Sequence, residues 1–406
     1  MSNKATVPSR ATATLDVVSG DLEVGIHSTV KGVGSPSKVK VHGTARCEGD
    51  DTFEGSLSAE NLEAEGTVTV HGNLEIENAV EVEDGSLKVH GKLTAKSVDV
   101  DDTLYVGKDF TADKAEVGGS LKIDGNVKAE TIEACGTFSG KGEVNAENIE
   151  VCGSLSIESK VNIKNLDVGG TATVAGGKIQ NIDVGETFES NGPLEFGSID
   201  VGGTVRLSSK SRGEKIDIGG SFKVEGDLEF EEADVGGIIE IKGSTIGRKM
   251  EVGGKVNIDG SLKLSGNLEV GGKVDVSKEI LVESMEVGGA LRARKITAEE
   301  SVEVGGSITT EEGVTARLVE IGRNGDVHGP LKADQVIIGK GASAETVYGK
   351  NVLLRSGAQA ERVYGENITI EHNCRISGEI QYTSELSIAE SVWIAKPPQK
   401  VDKLPF

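Results

Sequence analysis

Apolar and polar residues alternate in short runs along most of the chain. In residues 119–135 the apolar positions are Leu121 and Ile123, then Val127 and Ala129, then Ile132 and Ala134. A period of two marks a strand, because successive side chains point to opposite faces. Turn residues separate the runs at Asp124-Gly125, Glu130-Thr131 and Cys135-Gly136. The pattern therefore predicts three short strands in each 17 residues. A VGG tripeptide or near variant recurs along much of the chain. Its first glycine falls at Gly118, Gly169, Gly202, Gly219, Gly236, Gly253, Gly271, Gly288 and Gly305. Asp101, Cys135, Cys152 and Gly185 hold the same place, and Glu83 falls one residue early. Between positions 101 and 305 the steps are 17 residues, apart from one of 16 and one of 18.

Three strands per unit at this period describe one triangular coil. The predicted fold is all-β: a single-stranded right-handed parallel β-helix, a triangular β-solenoid of roughly 22 coils. With coils ~4.8 Å apart, the stack would be a rod on the order of 100 Å long. A leucine-rich repeat would be longer and bear an Asn consensus, and helical repeats need a 3.6 period; neither is present. Toward the end the period tightens: Val347-Tyr348-Gly349-Lys350-Asn351-Val352 recurs 16 residues later as Val363-Tyr364-Gly365-Glu366-Asn367-Ile368. Residues 1–14 and 395–406 are expected to be disordered tails. The solenoid is expected to divide into an acidic part, 15–330, and a C-terminal part, 331–394.

Composition narrows the function. Glycine numbers 56 of 406 residues, while aromatics are 3%, so the core rests on Val, Ile, Leu and Ala. A net charge of −23 argues against nucleic acid and anionic membranes as partners. The opening MSNKATVPSR lacks an apolar run, and no stretch reaches the ~18 residues of a membrane helix. Four cysteines are too few for a disulfide scaffold. A cytoplasmic location is expected.

Two passages resemble the bactofilin family, the polymer-forming cytoskeletal β-helix proteins. One is the series GSLKIDGNVKAETIEACGTFSGKGEVNAENIEVCGSL; the other is ADQVIIGKGASAETVYGKNVLLRSGAQAERVYGENITI. The resemblance implies a right-handed triangular β-helix that assembles without nucleotide into non-polar filaments. This chain is several times longer than a typical bactofilin core.

In the strand before each VGG, the outward residue is acidic in coil after coil. These residues are Glu63, Glu81, Asp99, Glu116, Glu133, Glu150, Asp167, Asp183, Asp200, Asp217, Asp234, Glu251, Glu269, Glu286, Glu303 and Glu320. Such a rail is either a solvated face that keeps the protein soluble or a stripe for divalent cations or a basic partner. It stops abruptly: the next equivalents are Ile337, Leu353, Thr369 and Ser387. Together with Leu386, Ile388, Val392, Trp393 and Ile394, Ile337 and Leu353 are expected to form a self-association surface, because a solenoid end is an open β-edge. The alternative is that Trp393 folds over and caps the core.

Other chemistry is sparse. His42, His71, His90 and His328 recur in V-H-G sequences and read as turn residues; His71 and His90 lack further metal ligands. Cys135 and Cys152 share a corner of adjacent coils and are expected to be free thiols. The GG pairs lack the GKS or GKT of a phosphate loop and read as corners requiring positive φ. No catalytic triad or metal set stands out, so the expectation is a non-enzyme without a cofactor whose chief partner is itself.

Overall fold

A computed structural model of the chain describes residues 4–208 and 210–405. These residues contain strands and turns but no helix. The chain forms two compact units, Met1–Gly202 and Gly203–Phe406. Each is a parallel β-solenoid with coils about 17 residues apart, and together the units comprise about 23 turns.

In the first unit, Lys114–Val117, Ser120–Ile123 and Val127–Ala134 build one coil. The next coil repeats it in register: Leu121 lies on Phe138, Val127 on Val144, and Ile132 on Ile149. The apolar half of each alternation points inward. One inward column runs Leu104, Leu121, Phe138, Leu155, Ala172, Phe188, mixing large and small side chains. In the second unit the matching column runs Val205, Phe222, Ile239, Val256, Val274, Leu291 and Ile308. Every residue in both columns is essentially fully buried. A coil alone has no second layer to cover its apolar face, so its stability comes from the coils on either side.

Three expectations need correction. The expected tails contain structure: Ala5–Val7 pairs with Leu22–Val24, and Thr12–Leu15 pairs with Thr29–Gly32. Gln399 and Lys400 pair with Gln381 and Tyr382. Their short alternations had too few residues to stand out from a polar tail. The division at 330 lies within the strand Asp326–Ile338; the ladder runs on through it, and the change there is in the rail's chemistry. His328 lies in that same strand rather than in a turn.

The VGG glycines also have a different cause from the one expected. None of them has a positive φ. What favours glycine is close approach: a Cβ on Gly288 would sit 2.4 Å from the carbonyl oxygen of Gly271, and one on Gly305 2.4 Å from that of Gly288. The corner can yield locally, since Asp101, Cys135 and Cys152 occupy the same column with side chains.

Candidate functional site: an acidic rail and an uncovered terminal coil

The parallel register places each rail carboxylate directly over the next. In the first unit the column runs from Glu63 through Glu81, Asp99, Glu116, Glu133, Glu150, Asp167 and Asp183 to Asp200. In the second unit it runs from Asp217 through Asp234, Glu251, Glu269, Glu286 and Glu303 to Glu320. Among the described residues, only Glu63, Glu116, Glu133 and Glu251 of these sixteen have an ion-pair partner. The Asp99 carboxyl is pushed above its ordinary range by partial burial, by Glu116 and by Asp101, against the pull of Lys114.

Two parts of the rail escape sequence reading. The first is its head. Glu23 pairs in register with Arg46, and Arg46 with Glu63. The Arg46 guanidinium donates to Glu63 at 2.8 Å and to Asp21 at 3.2 Å. The Thr44 N–H and Arg46 hold the Asp21 carboxyl below its usual range. Glu23, Arg46 and Glu63 border an open groove of 630 Å³ that also includes Glu81. A small excursion closed by the Val33–Lys38 bridge lengthens this coil and breaks the 17-residue period, which hides the match. The second is an amide column two residues before the rail. Asn165 donates to Asn148 at 2.7 Å, Asn181 to Asn165 at 2.7 Å, and Ser198 to Asn181 at 3.1 Å. Such ladders tie neighbouring coils together beside the repelling carboxylates.

The rail column continues from Glu320 to Ile337, Leu353, Thr369 and Ser387. Ile337 and Leu353 are half-buried on the outer face. The remaining expected interface residues lie together in the last coil. Leu386 and Ile388 stack on Ile368 and Ile370, which are 1% exposed. Ile394 stacks on the fully buried Ile376, and Val392 stands one residue before Trp393 below Cys374. Leu386, Val392 and Ile394 are nevertheless half-exposed, and Ile388 is 40% exposed. They are the inward row of a coil with no full coil beyond it among the described residues. Trp393 points outward, 49% exposed, with the Arg375 guanidinium 4.5 Å from its ring. It does not fold over the core; cation–π attraction holds it on the flank.

The other candidates stay local. His71 and His90 stack with centroids 5.0 Å apart, and burial together with Lys88 lowers the His90 pKa. His328 lies between Glu345 at 3.2 Å and Asp326 at 3.0 Å, which raises its pKa. Among the described residues no group of three or more His, Cys, Asp or Glu side chains is arranged to hold a metal ion. Cys135 and Cys152 are exposed free thiols, while Cys47 and Cys374 are buried. A hydrogen bond with Cys152 raises the Cys135 pKa, and burial raises that of Cys47 far more. Titration of the native protein with a thiol reagent should therefore show two accessible thiols, with Cys135 slow at neutral pH because thiolate is the reactive form. Four rapid equivalents would show that the coils around Cys47 and Cys374 open freely.

Fold and site define a parallel β-solenoid repeat protein with an acidic outer column and a last coil whose inward apolar row is partly exposed. Comparison with family models, curated proteins and solved structures finds no match to the chain. No helix among the described residues is long and apolar enough to cross a membrane.

Proposed function

We propose that the chain is a structural protein that assembles end to end, without nucleotide, by extending its parallel ladders onto a second copy. The observation supporting this most directly is the inward row Leu386, Ile388, Val392 and Ile394, which continues the buried core and is then left partly exposed. The backbone of Leu386–Ile388 pairs with Ile368–Ile370 on one side; on the other, Gln399–Lys400 pairs only with Gln381–Tyr382 at the start of the same strand. Unpaired ladder groups beside an uncovered apolar row are a template for another strand layer. The bactofilin-like passages agree with a cytoskeletal filament in the cytoplasm. In this reading the protein is not an enzyme.

A second reading concerns the flank. Twelve of the sixteen rail carboxylates lack an ion-pair partner among the described residues, which favours a scaffold that takes up divalent cations or a basic protein along its side. Chelation of divalent cations would then dissolve bundles and leave single filaments.

Electron microscopy and sedimentation of the full chain test the first reading. Filaments are expected from the unmodified protein. Substituting Ile388→Asp and Ile394→Asp removes apolar contacts worth about 1.5–3 kcal/mol each when fully buried. The concentration needed for assembly should therefore rise by roughly tenfold or more. Unmodified protein that stays monomeric at high concentration sinks this reading.

A further inference from the structure

The geometry points to a polar, head-to-tail junction: the last coil of one copy, residues 385–395, seats on the first coil of a second copy, residues 4–14. This rests on the end-to-end reading above and fixes its direction. It departs from the non-polar assembly that the bactofilin resemblance implies.

The first observation is the corner after the rail strand. In the first coils, the residue four places beyond the rail position is left-handed: Arg10 after Thr6, His27 after Glu23, and Asp50 after Arg46, with φ of 60°, 60° and 53°. The last coils repeat this with Asn324, Gly341, Gly357, Asn373 and Ser391 after Glu320, Ile337, Leu353, Thr369 and Ser387. From Asp99 to Glu303 the equivalent residue has no positive φ. Left-handed corners are uncommon for residues other than glycine and redirect the chain differently from an extended corner. Where the first unit changes from one corner to the other, Gly49, Gly66 and Asp84 are also left-handed, so the change demands local adjustment. The first and last coils share one corner type, and a coil ending in Ser391 extends onto one turning at Arg10 without such adjustment.

The second observation is the residue match. Aligning Ser387 with Thr6 also aligns Ser391 with Arg10, so rail strand and corner agree on one register. In that register Leu386 and Ile388 lie over Ala5 and Val7, and Val392 and Ile394 over Ala11 and Ala13. Ala5, Ala11 and Ala13 are half-exposed in the first coil while Val7 is already buried, and no described strand lies on the outer side of Ala5–Val7 or Thr12–Leu15. Large side chains on one end thus meet mostly small ones on the other, as in the mixed inward columns of the interior. The outer face agrees too. Lys4, which pairs with Glu23 in its own copy, falls beside Glu385, so that Glu385 meets an opposite charge, and Ser387 falls beside Thr6, giving a neutral pair. A two-fold contact between two C-terminal ends would instead set the strands antiparallel and present Glu385 to its own copy.

Disulfide trapping tests the direction. The full chain carries Cys135→Ser and Cys152→Ser, with either Thr6→Cys or Ser387→Cys added. Adjacent ladder residues stand ~4.8 Å apart, within disulfide range. Head-to-tail assembly predicts that most of the protein forms a cross-linked dimer under mild oxidation only when the two variants are mixed. Circular dichroism and sedimentation confirm that each variant folds and assembles. Lys4→Cys with Glu385→Cys serves as a second pair if either first-choice variant fails to fold. Cross-linking of the Ser387→Cys variant with itself, or of Thr6→Cys with itself, overturns the head-to-tail direction while leaving end-to-end assembly standing. Assembly with cross-links in neither pair overturns the register. Absence of assembly in the unmodified chain overturns the parent reading, and this inference with it.

Discussion

Replacing Phe138 with alanine is expected to lower the stability of the first unit by about 3–5 kcal/mol, the usual range for emptying a buried aromatic site. Phe138 is 1% exposed and stacks between Leu121 and Leu155 in the inward column. Neither leucine can fill the space without leaving its own coil, because backbone hydrogen bonds fix each coil to its neighbours. The same column tolerates Ala172 because Phe188 lies on its other side. A cavity at Phe138 weakens both interfaces that hold its coil, and in a nearest-neighbour solenoid that is where unfolding would start. Hydrogen exchange should show the lost protection centred on residues 120–157 and fading with distance along the chain. A loss below about 1 kcal/mol, or one spread evenly over the first unit, would contradict the nearest-neighbour account of its stability.

The coil period, the three strands per coil and the rail were all legible, because a short alternation repeated at fixed spacing states both which face is inward and which residues stack. Sequence reading failed where the repeat carries no such signal. Ala5–Val7 alternates over only three residues and Gln399–Lys400 is two polar residues, too little in either case to stand out as a strand. Glu23 joins the column only after the Val33–Lys38 excursion is removed from the count, and Arg46, at the regular spacing before Glu63, carries the opposite charge. The corner glycines were correctly located but wrongly explained, since a repeated glycine does not say whether φ or the neighbouring backbone requires it. Here the carbonyl of the preceding coil requires it. The proposed assembly residues Leu386, Ile388, Val392 and Ile394 stand out in the sequence only as apolar residues in its last stretch. That they are inward-facing, with Trp393 on the opposite side, follows only from the register with Ile368, Ile370 and Ile376. The match between Arg10 and Ser391 corners was not visible at all, because serine and arginine do not advertise a left-handed conformation.

Neutralising three consecutive rail positions, Glu150→Gln, Asp167→Asn and Asp183→Asn, is expected to stabilise the protein in dilute salt. None of the three has an ion-pair partner among the described residues, and all lie in one unbroken column between Glu133 and Asp200. Unit charges ~4.8 Å apart repel by about 0.9 kcal/mol per pair even at the dielectric of water. The three changes relieve four such pairs, and screening leaves a gain of about 1–2 kcal/mol at 0.1 M salt. The Asn148–Asn165–Asn181 ladder alongside is untouched and, being uncharged, responds little to salt. Urea unfolding in increasing sodium chloride separates the two contributions: the parent should gain stability as salt rises, and the variant's advantage should shrink toward zero near 1 M, where the screening length is about 3 Å. The Asp99 carboxyl sets the sign with pH. Its folded pKa is raised, so its cost is fully present at neutral pH and is relieved as pH falls through the folded value toward the unfolded one near 3.8. Asp99→Asn should therefore stabilise most at neutral pH and least near pH 4. A rail variant less stable than the parent in dilute salt would mean that a bound cation, rather than solvent, faces these carboxylates. Millimolar magnesium or calcium that stabilises the parent beyond sodium at equal ionic strength would point the same way, toward the cation-binding flank and away from a purely solvated one.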